Sequence, residues 1–264
     1  MSMLAADTRT RPGVIARVNP VAKLAASAVI ALPLIVTLDW VSAAVALALE
    51  SVLFVFAGLR WREFRMRTWP VWVAAPLTAL TIALYGAASG QVYVEWFVLR
   101  ISEGSLALAV ATFFRVLAVA LPSVVLFVTV DPTDLADGLA QVWRLPARFV
   151  LGALAGLRMV GLFLEDWRAL ELARRARGIA DQGRVRRFAG MAFALLVLSI
   201  RRGSKLATAM EARGFGAPGR RTWARASRFG RREWMLVAVG VAISAVSVSA
   251  AVAAGTWNFI LGPR

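Results

Sequence analysis

Two copies of one tripeptide, Ala176-Arg177-Gly178 and Ala212-Arg213-Gly214, are the residues whose type and spacing best suggest a functional site in this sequence. Each copy ends a long amphipathic helical pattern. An arginine at a helix tip, with only Ala and Gly beside it, can enter an acidic groove on another protein and bind a carboxylate with two hydrogen bonds. The alternative is structural, because arginine complements the negative end of a helix and glycine closes it. The motif alone favours neither explanation.

A second candidate pair, Glu50 and Arg115, lies within apolar stretches of the chain. Charged groups at membrane depth usually face a partner, so we expect Glu50 and Arg115 to form an ion pair that fixes helix packing. The alternative is a membrane enzyme that uses this pair on a lipid-like substrate, although no further catalytic group is visible beside them. A self-contained channel is disfavoured, because no span is repeated or lined with polar residues.

The composition excludes several kinds of chemistry. The 264 residues include no histidine and no cysteine, which removes zinc sites, thiol nucleophiles and imidazole acid–base catalysis. No GxxxxGKS or GxxxxGKT motif occurs, so we expect no ATP hydrolysis by this chain, and neither a cofactor nor a metal. A hydrophobic fraction of 59% and a mean hydropathy of +0.69 are too high for a soluble protein. The net charge of +16 is then explained by membrane topology rather than by nucleic-acid binding.

Apolar stretches of membrane-spanning length place these residues on helices. We therefore predict an all-α integral membrane protein with about five transmembrane helices and a cytoplasmic coupling region of three helices, two of them long and amphipathic. The predicted domains are a membrane bundle of four helices (1–130), the coupling region (131–232) and a final transmembrane helix (233–264). The predicted spans are 21–38, 41–59, 69–88, 106–130 and 234–254.

Local signals define the helices of the coupling region. A short first helix is predicted to start where Asp131 caps the chain and Pro132 takes the first helical position. The second helix, at about 146–177, changes from apolar to charged along its length. Within it Glu165 and Arg168 lie three positions apart and Glu171 and Arg175 lie four apart, so each pair is expected to share a face of the helix.

The basic residues predict the orientation of the chain. Of its 31 Lys and Arg residues, all except Arg100, Arg115 and Arg264 fall in segments that the predicted spans put on one side of the membrane. Cytoplasmic loops collect Lys and Arg, so the amino terminus and a predicted basic loop at 60–67 are expected to be cytoplasmic. A weakly charged link at 89–103 then lies on the opposite side of a plasma membrane that the chain crosses several times.

At these motifs the sequence resembles the transmembrane T component of energy-coupling factor (ECF) transporters, the family that includes the cobalt-type permease CbiQ. The likeness covers most of the chain. Its less specific parts are Asn19-Pro20-Val21-Ala22-Lys23-Leu24, Arg115, Asp131-Pro132-Thr133-Asp134-Leu135 and Leu145-Pro146. Its specific parts lie in the two long coupling helices and are Arg158, Glu165 and Ala176-Arg177-Gly178 in the first, and Glu211 with Ala212-Arg213-Gly214 in the second.

The resemblance implies that Arg177 and Arg213 dock into grooves on a pair of ABC-type ATPases. The flanking residues Ala176, Gly178, Ala212 and Gly214 would shape the two tips. A second implied partner is the S component, a small membrane protein that captures a vitamin or metal ion and sits on the same coupling helices. ATP-driven closure of the ATPases would move these helices and release the cargo inside the cell. The chain itself would act in the lipid bilayer without a substrate pocket, a nucleotide site or a nucleic-acid partner.

Overall fold

The computed structural model describes residues 17–56, 61–86, 89–96, 99–178, 183–217 and 222–258. Within these ranges the chain forms eight helices and one two-stranded hairpin. The helices are Pro20–Val36 (α1), Trp40–Phe56 (α2), Trp61–Tyr85 (α3), Glu103–Val128 (α4), Pro132–Gln141 (α5), Ala147–Ala176 (α6), Arg184–Ala212 (α7) and Arg231–Ala253 (α8). The strands Val92–Trp96 (β1) and Leu99–Ser102 (β2) pair antiparallel between α3 and α4.

Helix length and composition confirm the predicted all-α membrane class. Of the described helices, four are long and apolar enough to cross a membrane, namely α3, α4, α6 and α8. Helices α1 and α2 are apolar but shorter, at 17 residues each. That length is about 25 Å, near the lower limit for a span. The predicted spans correspond to α1, α2, α3, α4 and α8, whereas α6, predicted as a coupling helix, also has the length and composition of a span.

The chain divides into two compact units. The first comprises residues 1–138 and 227–264, and the second comprises residues 139–226 with α6 and α7. Helices α1, α2, α4 and α8 of the first unit share a buried core that includes Ile30, Leu34, Ala43, Ala46, Ala118 and Ile243. Small residues let these helices approach closely. A methyl group at Gly240 of α8 would lie 3.2 Å from the carbonyl oxygen of Ala26 in α1.

The basic segment predicted as a loop is, from Trp61 onward, the start of α3; Arg60 lies outside the described residues. Aromatic packing gives the reason for this difference. The Phe64 ring lies 5.8 Å from that of Phe54 in α2, and it stacks on Trp61 with 5.6 Å between ring centroids. The Thr68 hydroxyl also donates a 2.8 Å hydrogen bond to the Phe64 carbonyl. The helix therefore begins before the apolar stretch does.

The predicted link at 89–103 contains the hairpin of β1 and β2, which the sequence analysis did not predict. Val92 lies opposite Ser102, and Trp96 lies opposite Leu99. β-Branched and aromatic residues in β1 favour an extended chain. At the end of β2 the Ser102 hydroxyl accepts a 3.2 Å hydrogen bond from the Ser105 N–H, so the hairpin leads directly into the cap of α4.

Glu50 and Arg115 do not form an ion pair, so this expectation is wrong. Glu50 is fully buried in α2, and neither of its carboxylate oxygens has a hydrogen-bond partner in the described part of the chain. It borders a small apolar cavity that α4 lines from Pro122 onward. Arg115 lies seven residues before Pro122 on α4, which is about two helical turns, or about 10 Å, along the helix axis. It interacts electrostatically with Asp39, at the turn before α2.

We predict that Glu50→Met stabilises the protein, because it removes a buried carboxyl group without partners and keeps a similar side-chain volume. The expected gain in the free energy of unfolding is about 1 kcal/mol, measured by thermal unfolding in detergent. Asp39→Leu is the matched control, since the two carboxylate oxygens of Asp39 accept 2.7 Å hydrogen bonds from the N–H and hydroxyl of Ser42. This control should be destabilised. A similar loss of stability in Glu50→Met would show that Glu50 has a polar partner.

Candidate docking site at two helix ends

Helices α6 and α7 are antiparallel neighbours in the second unit, and each carries one Ala-Arg-Gly tripeptide at its carboxyl end. Ala, Leu and Arg, which are strong helix formers, predominate in α6. The relative direction of the helices follows from their contacts. Asp166 of α6 meets Arg202 of α7, while Glu171, further along α6, meets Arg187 near the start of α7.

The ion pair between Asp166 and Arg202 is bidentate. Arg202 Nη1 donates to Asp166 Oδ2 at 2.6 Å, and Nη2 donates to Oδ1 at 3.2 Å, with both side chains half-buried. Its position is the same relative to both tripeptides, since Arg177 lies eleven residues after Asp166 and Arg213 lies eleven residues after Arg202. Each tip therefore extends beyond the ion pair by an equal length of helix, about 16 Å.

Further contacts join the two helices on one side of this ion pair. Glu171 accepts 2.8 Å hydrogen bonds from Arg175 on its own helix and from Arg187 on α7. Of the two charge pairs predicted to share a face of α6, Glu171 and Arg175 thus form an ion pair, whereas the described residues show none between Glu165 and Arg168. The rings of Trp167 and Phe188 lie 5.4 Å apart between centroids. These ionic and aromatic contacts set the crossing of the helices, because α6 has no buried residue.

Backbone hydrogen bonds close α7 at the second tripeptide. Gly214 adopts a left-handed φ of +73°, which glycine takes without strain. Its N–H donates to the Glu211 carbonyl at 2.9 Å, and the Phe215 N–H donates to the Met210 carbonyl at 2.9 Å. Together these two bonds form a Schellman motif, so the backbone itself satisfies the last carbonyls of the helix.

The end of α6 has the same local geometry. Gly178 has a φ of +69°, and its N–H donates to the Arg175 carbonyl at 3.1 Å. Arg177 and Arg213 take nearly the same backbone conformation, with φ and ψ of −86° and 2° in the first and −89° and 10° in the second. Ile179, whose N–H would complete the motif, lies outside the described residues. The two arginines are therefore presented by equivalent backbone turns.

Both arginine side chains are available to a partner. All six tripeptide residues are exposed, namely Ala176, Arg177, Gly178, Ala212, Arg213 and Gly214. Within the described ranges neither arginine forms an ion pair or a side-chain hydrogen bond. The structural explanation of the motif accounts for the glycines, because a positive φ requires them. Within the described residues neither guanidinium group bonds a carbonyl of its own helix, so only the charge of each arginine near the helix end remains to the structural explanation.

The other predicted residues are spread along the two helices. Arg158 and Glu165 are exposed on α6, and Glu211 is exposed in the last turn of α7, so that only Glu211 adjoins a tip. The sequence analysis missed Asp166 and Arg202. No sequence signal marks this pair, because the two residues lie 36 positions apart on different helices and meet only through the helix crossing.

Charge exchange tests the helix crossing. We predict that Asp166→Arg and Arg202→Asp each lower the free energy of unfolding by about 1 kcal/mol, because each places like charges together. The double variant should recover most of the loss, since the pair forms again in reverse. Thermal unfolding of the purified chain measures these effects. Arg175→Ala, which removes an ion pair within one helix, should cost only about 0.3–0.5 kcal/mol. A double variant whose loss in the free energy of unfolding equals the sum of the two single losses would show that Asp166 and Arg202 do not form an ion pair.

Known proteins are similar to this chain in sequence. The family model described as "Cobalt transport protein" (CbiQ) matches residues 13–223, which include both tripeptides. The energy-coupling factor transporter transmembrane protein EcfT of Limosilactobacillus fermentum is 27% identical over 186 residues, covering 66% of this chain and 69% of that protein. The EcfT of Lactococcus lactis is 27% identical over 247 residues, covering 85% of this chain and 88% of that protein. Because the family match spans most of its length, the chain belongs to the EcfT/CbiQ family of transmembrane T components of energy-coupling factor transporters.

Proposed function

We propose that this chain transmits the ATP-driven motion of two partner ATPase subunits to a separate substrate-binding membrane protein, the S component, for uptake of a vitamin or a metal ion. Its family makes it an energy-coupling component of a transporter. The observation that carries the finer proposal is the presence of two equally built arginine tips on one ion-paired helix crossing, with Arg177 and Arg213 exposed and unpaired within the described ranges.

The ATPase subunits are proposed to bind the two tips. A guanidinium group offers two parallel N–H donors, and a carboxylate in a groove of each ATPase would accept both. The alanine and glycine beside each arginine keep the tip narrow enough to enter such a groove. Two tips with the same backbone geometry fit a partner that is itself a pair of similar subunits, whether identical or different.

The S component is proposed to lie on the apolar faces of α6 and α7. Large apolar side chains on both helices are more than half exposed, among them Phe149, Leu157 and Leu164 of α6 and Phe193 and Ile200 of α7. Exposed apolar patches of this kind are typical of surfaces that bind a protein or lipid. A description of the family as cobalt transport proteins supports a metal ion as one class of cargo.

The proposed orientation places the amino terminus and both tips in the cytoplasm of a plasma membrane, where ATP is available to the partner ATPases. The distribution of Lys and Arg supports this orientation, because almost all of them fall in segments on one side of the predicted spans. The opposite orientation would put these charges outside the cell.

The alternative of a membrane enzyme is not favoured. That hypothesis needs Glu50 and Arg115 to act together on a lipid-like substrate, and the structure does not pair them. The relatives are described as transporter proteins.

We predict that Arg177→Glu and Arg213→Glu each reduce the binding of ABC-type ATPases by about tenfold or more, because each replaces a charge-assisted hydrogen bond with a repulsion. The double substitution should abolish binding. The test is co-purification of the ATPases with the chain from membranes, together with uptake in the same cells. Recovery of each variant from the membrane fraction checks insertion, and size-exclusion chromatography checks that the extracted variant stays folded.

Arg201→Glu is the matched control, because Arg201 is an exposed arginine in the interior of α7 and the charge change is the same. It should leave ATPase binding close to that of the original chain. Unchanged co-purification and uptake in the double variant would refute the docking role of Arg177 and Arg213. Equal loss in Arg201→Glu would show a general charge effect instead.

A further inference from the structure

The chain leaves the first unit and returns to it at two neighbouring points. Gly138 is the last residue of the first unit before residues 139–226, and Ser227 is the first residue after them. A methyl group at Gly138 would lie 3.6 Å from Ser227 Oγ, 3.0 Å from Asn19 Oδ1 and 2.5 Å from Val21 Cγ2. The outgoing segment, which ends at Gly138, and the returning segment, which begins at Ser227, therefore meet at the N-cap residue Asn19 and the first turn of α1.

Asn19 bonds the returning segment through all of its donors. Its side-chain Nδ2 donates to Ser227 Oγ at 2.8 Å and to the Arg228 carbonyl at 3.1 Å. Its backbone N–H donates to Glu233 Oε1 at 3.3 Å. The remaining side-chain atom, Oδ1, accepts from the Val21 N–H at 3.0 Å and so caps α1. One residue thus starts a helix and holds a segment more than two hundred positions away.

Lys23, one turn further along α1, bonds the outgoing segment. Its buried Nζ donates to Thr129 Oγ1 at 2.8 Å and to the Thr129 carbonyl at 3.3 Å. Thr129 is the C-cap residue of α4 and lies three positions before the first residue of α5. Within the second unit the two segments are also joined, because Gln141 Nε2 donates to the Arg225 carbonyl at 2.8 Å. Hydrogen bonds therefore hold the two segments within the first unit, through Asn19 and Lys23, and within the second unit, through Gln141.

We propose that the first turn of α1, Asn19 to Lys23, is a clasp that holds the outgoing and returning segments together, so that displacement of residues 139–226 reaches the membrane bundle instead of being absorbed by two independent linkers. Asn19 and Lys23 are positioning residues in this account. The proposal rests on the proposed function, because it assigns these residues a part in the transmission of motion. The clasp is a second site for the transmission of motion, apart from the two arginine tips.

The substitution Asn19→Asp tests the clasp without removing the helix cap. Aspartate is as good an N-cap as asparagine, so α1 should keep its first hydrogen bond. The variant loses the Nδ2 donor to Ser227 and Arg228 and places a second carboxylate beside Glu233. Ser102→Ala is the matched control, because it removes a helix cap at the start of α4, outside the clasp, where the Ser102 hydroxyl accepts from the Ser105 N–H.

Hydrogen exchange of the isolated chain in lipid nanodiscs is the first measurement. Amide exchange in residues 227–234 should be about tenfold faster in Asn19→Asp, because the two side-chain hydrogen bonds from Nδ2 to Ser227 and Arg228 are lost. The control should leave exchange in this segment unchanged. Unchanged exchange in Asn19→Asp would refute the clasp.

The ratio of substrate uptake to ATP hydrolysis in the assembled transporter is the second measurement. The clasp predicts that this ratio falls severalfold in Asn19→Asp while ATPase co-purification stays at the original level, and that Ser102→Ala keeps the ratio. An unchanged ratio in Asn19→Asp refutes only the clasp's role in transmission. Failure of the original chain to bind ATPases at all refutes the proposed function, and with it that role, so the two failures are distinguishable.

Discussion

The bidentate ion pair between Asp166 and Arg202 is the interaction on which the candidate site depends. Helices α6 and α7 share little apolar core, since α6 has no buried residue and Met191 is the one buried residue among those described in α7. A planar guanidinium on a carboxylate fixes distance and direction together, which apolar contact does not. The crossing is therefore set by ionic contacts together with the ring contact of Trp167 and Phe188, and large apolar side chains of both helices remain exposed.

This arrangement makes the two arginine tips equivalent. Each lies eleven residues beyond the ion pair, and each is turned by a glycine with positive φ. The backbone closes both helices, so neither guanidinium is needed as a cap. A force applied at either tip would act along an equal length of helix. This equivalence of the two tips is the structural basis of the proposed docking of a pair of similar ATPase subunits.

The features that the sequence predicted correctly are local ones. The start of α5 follows from Asp131 and Pro132, and the Asp131 carboxylate accepts a 2.7 Å hydrogen bond from the Thr133 N–H as expected. The helix ends at Gly178 and Gly214 depend on the conformational freedom of one residue each. In these cases the interacting groups lie within a few positions of one another, so residue type and spacing contain the information.

The features that the sequence did not predict depend on how distant elements meet. Glu50 and Arg115 looked like a pair, but the register of α2 against α4 separates them. The early start of α3 depends on the contact of Phe64 with Phe54 in another helix. Asp166 and Arg202 could be recognised only after the crossing of α6 and α7 was known. None of these follows from periodicity or composition, because each requires a tertiary contact.

Because the sequence contains no cysteine, crosslinking from single introduced cysteines directly tests whether both arginine tips dock on the ATPase subunits. Ala176→Cys and Ala212→Cys, each labelled with a short photoreactive crosslinker, would be assembled with the ATPase subunits and illuminated. Docking of both tips predicts that each position crosslinks to an ATPase subunit, while Ser204→Cys, at an exposed site in the interior of α7, does not. Crosslinks from both tips only to lipid or to the chain itself would contradict the account.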